Sequence, residues 1–449
     1  MMAAIEEQIS QWRAFVARGP GVAVGDVEEL EGHLRDQLDE LTTAGLTTDE
    51  AFLIAVRRMG DPDALSQEFA REHSERLWKQ LGLDGGDTSD SASNGLVTAL
   101  GFAIAAALTV LLVRVLAGFP DGQATWLGRN ASLLVLPLLA GFFATRRRLP
   151  ARAWAATAGV FAVAAVAINV YPFGPAGSST ELLVAAHLPV LGWFVVAYPY
   201  MGGAWRDHAR RMDVVRFTGE WFIYYVLIAL GGGVLMGLTT AILEPTGLLD
   251  AERLIEWVLP SAAAGGVIVA AWLVESKQRV VENMAPVLTM IFTPLFAIML
   301  TAAAIVYAAT GLGATFDREL LGIFDVLLVV VLGLVLYGIS ARDPSQPPGW
   351  MDRIQLVAVV AALALDAMVL ATMIGRIGEL GVTPNRVAAL GLNLVLLVNL
   401  VGAAWLSTRF LTARTGFHQL ERWQTSYLPV FAAWAATVVI VLPPLFGFA

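Results

Sequence analysis

Eleven apolar stretches, each of about 20 residues, follow one another from residue 96 onward in this 449-residue chain. As a helix, each is long enough to cross a hydrocarbon layer roughly 30 Å thick. Lipid offers backbone N–H and C=O groups no partner, so each stretch must satisfy them internally, and the α-helix does so. The sequence therefore predicts an all-α fold, a polytopic membrane bundle. Its spans fall at 96–118, 129–145, 152–172, 180–200, 217–243, 254–274, 284–310, 319–340, 354–376, 386–408 and 427–448. A mean hydropathy of +0.66, with 57% hydrophobic and 15% charged residues, lies well outside the range of soluble domains.

The net charge of -9 is unevenly placed. Residues 1–90 carry 19 Asp and Glu against 8 Lys and Arg, whereas the rest of the chain holds 19 acids and 21 bases. Three regions follow: an acidic helical head at 1–81, a flexible Gly-, Asp- and Ser-rich linker at 82–95, and a transmembrane domain at 96–449. Residues 1–30 lack a basic start followed by an apolar core, so no cleavable signal peptide is expected. Short connections on the head's side hold fifteen basic residues, including Arg146, Arg147, Arg148, Arg211, Arg216 and Arg342. Those on the other side hold five: Arg129, Arg253, Arg318, Arg376 and Arg386. The positive-inside rule then places the head in the cytoplasm, the spans in the cell membrane, and Ala449 outside.

Four helices are expected in the head. The first is 3–17; the second, 26–44, carries Leu30, Leu34, Leu38 and Leu41 at helical spacing. Thr47 or Thr48 can cap a third, ended by Gly60, and Asp61-Pro62 opens a fourth running toward Leu81. Helices two and three could suggest a helix-turn-helix. A head this acidic cannot supply the clustered cations that phosphate contacts need, so no direct nucleic-acid binding is expected.

Three ordered pieces carry a family likeness: Val27-Glu28-Glu29-Leu30-Glu31-Gly32-His33-Leu34, then Leu46-Thr47-Thr48-Asp49-Glu50-Ala51, then Arg57-Arg58-Met59-Gly60-Asp61-Pro62. Together they resemble the HAAS-type or permease prefix helical domain of bacteria. That resemblance implies a docking or signalling role without catalytic residues, since such domains precede membrane segments or ABC-type permeases and accompany PadR-like transcription regulators. In the membrane region, Tyr337-Gly338-Ile339-Ser340-Ala341-Arg342-Asp343 and Gly381-Val382-Thr383-Pro384-Asn385-Arg386 are similar to the DUF4153-like multispan proteins, which implies kinship of fold and no known activity.

Ionisable groups within spans cost roughly 2.5–3.5 kcal/mol at a helix centre, so each needs a reason. Asp366, midway through the ninth span, is the leading candidate: a proton or cation site, or else a structural pair with a neighbouring helix. Depth places Arg114, Asn169, His187, Glu256, Asp325 and Asn393 in the outer half of the membrane and Asn399 nearer its middle. Singly each has an ordinary reading. Together they suggest one polar cavity open to the exterior, with Arg376 and Arg386 near its mouth. Glu220 is expected to pair with Arg216 at the inner interface. Gly231, Gly232, Gly233 and Gly237 have the small-xxx-small spacing of close helix packing. Trp126, Trp154, Trp205, Trp221 and Trp350 read as interfacial anchors. Pro189 and Pro294 fall inside spans, where proline can kink a helix.

The chain has no cysteine, which excludes disulfides, thiolate metal sites and cysteine nucleophiles. No Walker P-loop, His-Glu-x-x-His, nucleophile elbow or dinucleotide fingerprint occurs. No catalytic residues, cofactor or metal are expected, and the chain is not read as an enzyme. Two functions remain open. One is a regulatory or sensory membrane protein whose head, residues 1–81, docks a soluble regulator or an ABC ATPase. The alternative is a transporter or permease subunit with Asp366 in the substrate or proton path.

Overall fold

The computed structural model describes residues 9, 24–43, 47, 51–52, 55, 88–117, 124–174, 177–243, 251–276, 284–310 and 318–449. The chain divides into two compact units, Met1–Asn94 and Gly95–Ala449.

In the first unit, helix α1 spans Val24–Thr43. Leu34, Leu38 and Leu41 share one face, as steps of four and three residues require, and are buried together with Ile9, Ala51 and Ala55. On the partly exposed side, Arg35 pairs with Glu31 one turn back, at 2.9 Å. The Ala51 N–H donates to the Thr47 carbonyl at 2.9 Å, opening a turn where the third helix is expected. Apart from Ile9, Ala51, Phe52 and Ala55, the other three head helices fall outside the described residues.

The second unit is helical throughout its described spans. Its helices are α2 (Thr88–Ala117), α3 (Ala124–Arg146), α4 (Ala151–Val170), α5 (Ser179–Tyr200), α6 (His208–Leu243) and α7 (Ala251–Ser276). There follow α8 (Met284–Thr310), α9 (Arg318–Ala341), α10 (Trp350–Leu380), α11 (Pro384–Leu411) and α12 (His418–Ala436), the last continued by a π-helical turn, Thr437–Val441, and by α13 (Leu442–Leu445). Among the described residues eleven helices are long and apolar enough to cross a membrane, and their exposed Leu, Val and Ile side chains suit a lipid surround. This is a multi-pass membrane architecture. Backbone helix begins at Thr88, within the stretch expected as linker, and the last span begins at His418 rather than 427.

Burial is concentrated in two apolar cores. Residues of α2–α7 form the first, around Leu139, Phe142, Phe143, Phe217 and Ile268. Residues of α6 and α8–α12 form the second, around Leu300, Leu328, Leu365, Leu396 and Leu400. Helix α6 serves both: Val214 and Phe217 face the first core, Met212 and Val215 the second. The helices therefore make two lobes sharing α6 as a seam.

Glycines decide how closely some helices approach. On α11, Gly391 lies under the ring of Trp434 and Gly402 under the ring of Trp423, both on α12. The glycines and the tryptophans are each 11 residues apart, so the antiparallel register of the pair is locked at two levels. Gly265 on α7 admits the α2 backbone, where an added Cβ would meet the Ala103 carbonyl at 3.2 Å. The expected glycine contact does not form: Gly231, Gly232, Gly233 and Gly237 face open space on the exposed half of α6. Trp221 also departs from expectation. Helix α6 starts nine residues before the predicted span, which carries this ring into the interior, 4.4 Å from Trp193 and 5.0 Å from Tyr225 between ring centres.

The chain's last residues close over the connection between α4 and α5. The N–H groups of Gly174 and Thr180 donate to the carbonyls of Phe448 (3.0 Å) and Ala449 (2.8 Å). Phe448 packs against Tyr171 and Phe173.

Candidate functional site

Helix α10 runs through the second core, held at each end by one of the two short motifs singled out in the sequence. At its start, Asp352 accepts from the Gly349 N–H (2.7 Å), satisfying an amide that the helix leaves open. Arg342 meets the same carboxylate with two N–H groups, at 2.8 and 3.2 Å. Its guanidinium lies against the rings of both Phe410 and Phe417, 4.7 and 4.5 Å from their centres, and also donates to the carbonyls of Asp343, Gln346 and Pro347. A planar cation with five donors suits such a corner better than lysine. At the far end, Gly381 leaves the helix with φ +78°, a conformation that favours glycine. Arg386 then donates to the carbonyls of Leu380 (2.9 Å) and Gly381 (2.7 Å). Thr383 caps α11 by accepting from the Arg386 N–H, with Pro384 in the first helical turn. Arg386, placed by the sequence at a cavity mouth, is thus a clamp on the α10–α11 turn.

Between these corners lies Asp366. It is 0% exposed, flanked by Leu365 and, one turn away, by Ala362 and Val369, all buried in the second core. Neither carboxyl oxygen has a hydrogen-bond partner. Asp325 of α9 is near enough for the two carboxyl groups to interact electrostatically. Asp325 is itself held: the Asn393 amide of α11 donates to it at 2.6 Å and to the Ala389 carbonyl at 2.8 Å. The same nitrogen touches the Met373 sulfur at 3.8 Å. Met373 is seven residues beyond Asp366, so the Asp325–Asn393 pair sits about 10 Å further along α10.

Asn393 donates with its nitrogen and leaves its buried oxygen open. The buried Asn399 donates to Gln424 of α12 at 2.9 Å and likewise leaves its oxygen open. The open atoms of Asp366 and Asn393 are therefore acceptor oxygens, whereas the Asn399–Gln424 pair leaves open both an oxygen and the Gln424 Nε2 donor. An acceptor surplus in a low-dielectric core is matched chemically by a proton or by a small cation.

The remaining candidates are engaged in contacts of their own. Arg114 of α2 pairs with Glu256 of α7 at 3.4 Å and lies over the Trp257 ring. It also donates to the Glu256 carbonyl, which Pro260, lacking an N–H four residues later, leaves free. Asn169 of α4 exchanges hydrogen bonds with Asn130 of α3, at 2.7 and 3.2 Å, and accepts from the Trp126 indole at 3.1 Å. His187 turns back on its own helix, its Nδ1 lying 2.9 Å from the Leu183 carbonyl. Among the predicted residues two pairs are joined directly, Asp325 with Asn393 and Arg114 with Glu256. Depth along a span says how far a residue lies from the interface; the side of the helix it faces depends on packing.

Several polar residues that matter here escaped the sequence reading. Glu181 forms a buried ion pair with Arg129 at 2.8 Å and accepts from the Gly177 N–H at 3.1 Å. Gln424 lies ahead of the predicted start of the last span. Asn130 and Glu181 sit at span ends, where polar residues are ordinary. Arg216, expected beside Glu220, donates to the Ser340 carbonyl at 2.7 and 3.3 Å and so ties α6 to the end of α9. Among the described residues, no group of three or more His, Cys, Asp or Glu is placed to hold a metal ion.

Comparison of the chain with protein-family models, with curated proteins and with solved structures gives no match in any of the three.

Proposed function

We propose that the membrane domain is a transporter or permease subunit in which Asp366 takes up and releases a proton or a small monovalent cation. One observation carries this: a fully buried acid, midway along a membrane helix, with both oxygens unpartnered. A purely structural acid in such a core is expected to be paired, because an unpartnered buried polar group costs about 1–3 kcal/mol. Retaining it makes sense if the partner arrives and leaves. A bound proton or cation would stabilise one arrangement of α8–α11 over another, which is how loading shifts a two-state equilibrium. The Asp325–Asn393 pair lies along the same helix as a second station. We place the head in the cytoplasm and Ala449 outside the cell membrane.

Modification by a hydrophobic carbodiimide, which reacts with protonated carboxyl groups within the membrane, tests this. Full-length protein in liposomes is treated at a series of pH values, with sodium or choline as the cation, and adducts are located by mass spectrometry. Labelling of Asp366 that falls at higher pH or on adding sodium is expected. Labelling indifferent to both contradicts the proposal.

A second function of the same chain is favoured by its division at Asn94 and by the separate core of α1. We propose that the head docks a soluble regulator or an ABC ATPase, as its family resemblance implies. Crosslinked capture with the full chain and with a version starting at Gly95 separates the cases. A regulator or ATPase captured only by the full chain supports docking, and identical captures contradict it.

A further inference from the structure

The first lobe contains a cavity of about 380 Å³ lined by side chains of α2, α3, α5, α6 and α7. None of the polar candidates Asp366, Asp325, Arg114 or Asn393 lines it. Its volume is somewhat more than twice the roughly 150 Å³ of a cavity that holds one benzene. That is room for a segment of chain and far too little for a helix.

The wall is hydrocarbon because its polar atoms are spent elsewhere. The Trp193 indole donates to Thr218 at 3.0 Å and the Trp221 indole to the Val267 carbonyl at 2.9 Å. The Tyr225 hydroxyl lies 3.4 Å from the Ala263 carbonyl. The one exception in the lining, the Ser132 hydroxyl, is buried without a hydrogen-bond partner. What remains toward the cavity are ring faces, methyl groups and the rings of Pro189 and Pro260. A site of this chemistry repels water, and an empty one forfeits the dispersion contacts of its whole lining.

The position of its rim says what can reach it. Ala131 and Pro189 line the cavity and are also exposed on the outer surface of the lobe. Pro189 lies near the middle of α5, next to the exposed Val190, so the opening faces the bilayer interior and not an aqueous end. A molecule entering there comes from among the lipid tails.

We propose that this cavity is a lipid site that takes one acyl chain of a glycerophospholipid, inserted between α3 and α5 against the Trp193–Trp221–Tyr225 cluster. The site is independent of Asp366 and of the function proposed for it. An inserted chain would couple the packing of α6, the seam shared by both lobes, to the surrounding lipid.

The full-length protein is reconstituted in phosphatidylcholine bilayers containing a phosphatidylcholine with a diazirine in one acyl chain. After illumination, adducts are mapped by mass spectrometry in wild type and in Ala263→Leu, which fills the cavity from α7. Ala131→Leu, at the rim, is the second variant should the first fold poorly. Adducts on Trp193, Trp221 or Tyr225 are expected in wild type and fall several-fold in either variant, while those on the outward-facing Val163 and Leu230 are unchanged. Absence of adducts on the lining overturns the proposal. So does lining label that neither folded variant reduces, or a lining reached by a small apolar diazirine but not by the lipid chain.

Discussion

The two lobes treat buried polarity in opposite ways. In the first, charged and amide side chains lie toward the helix ends and are matched: Arg129 with Glu181 at 2.8 Å, Asn130 with Asn169, Arg147 with Glu275 at 2.7 Å. Its middle is left to hydrocarbon and an apolar cavity. In the second, Asp366 sits at the centre of the core without a hydrogen bond, while the clamping cation, Arg342, is kept at the corner of α10. Matched polar groups hold helices in place. An unmatched one is a cost the fold sustains, and a core that sustains it is suited to exchange of a partner.

The sharpest way to break this contrast is to delete one half of a matched pair. Glu181→Ala leaves the Arg129 charge buried and should lower stability by about 3–5 kcal/mol, read as a large fall in the unfolding midpoint of the detergent-solubilised protein. Asp366→Leu should do the reverse. Replacing an unpartnered acid by a side chain of similar size should raise stability by roughly 1–3 kcal/mol and abolish the carbodiimide adduct. If both substitutions destabilise alike, the lobes do not differ in the way described.

Gly391→Ala sharpens the comparison from the packing side. The added methyl group meets the Trp434 ring and should cost about 1–3 kcal/mol, whereas Gly233→Ala, in open space on α6, should leave the midpoint unchanged or slightly raised. The smallest effect belongs to Asp343 in the α9–α10 corner. It accepts from the Ser345 hydroxyl at 2.7 Å and the Ser345 N–H at 2.9 Å, which holds its carboxyl below the usual aspartate range. A lowered folded value means that its contribution is present above the ordinary aspartate pKa and lost as pH falls through the lowered value. Asp343→Asn should therefore lower stability slightly at neutral pH and flatten the acid limb of the stability–pH curve, the two proteins converging below the lowered value.

Runs of apolar residues long enough to span lipid made the eleven spans legible, since no other backbone solution is open to them. Asp366 was legible for the same reason: a lone acid is conspicuous in an apolar window. The grouping of Arg114, Asn169, His187 and Glu256 with Asp325 was not, because residues at one depth can face any direction. Only packing showed that Arg114 serves a carbonyl freed by Pro260, or that His187 bonds within its own helix. The Gly391–Trp434 and Gly402–Trp423 contacts were hidden differently. Neither glycine belongs to a recognised spacing, and each is explained by a ring on the next helix. Gly231–Gly237 had the recognised spacing and meets nothing. The two short motifs flanking α10 mark its corners, with the acid lying between them.

The central claim is that Asp366 exchanges its partner, and infrared difference spectroscopy of the reconstituted protein tests it directly. Wild type, Asp366→Asn and Asp325→Asn would be compared while the bathing pH is cycled. The account predicts a reversible change in the carboxylic C=O band that persists in Asp325→Asn and disappears in Asp366→Asn. A band that does not respond to pH or sodium, or a response unaltered in Asp366→Asn, would contradict it.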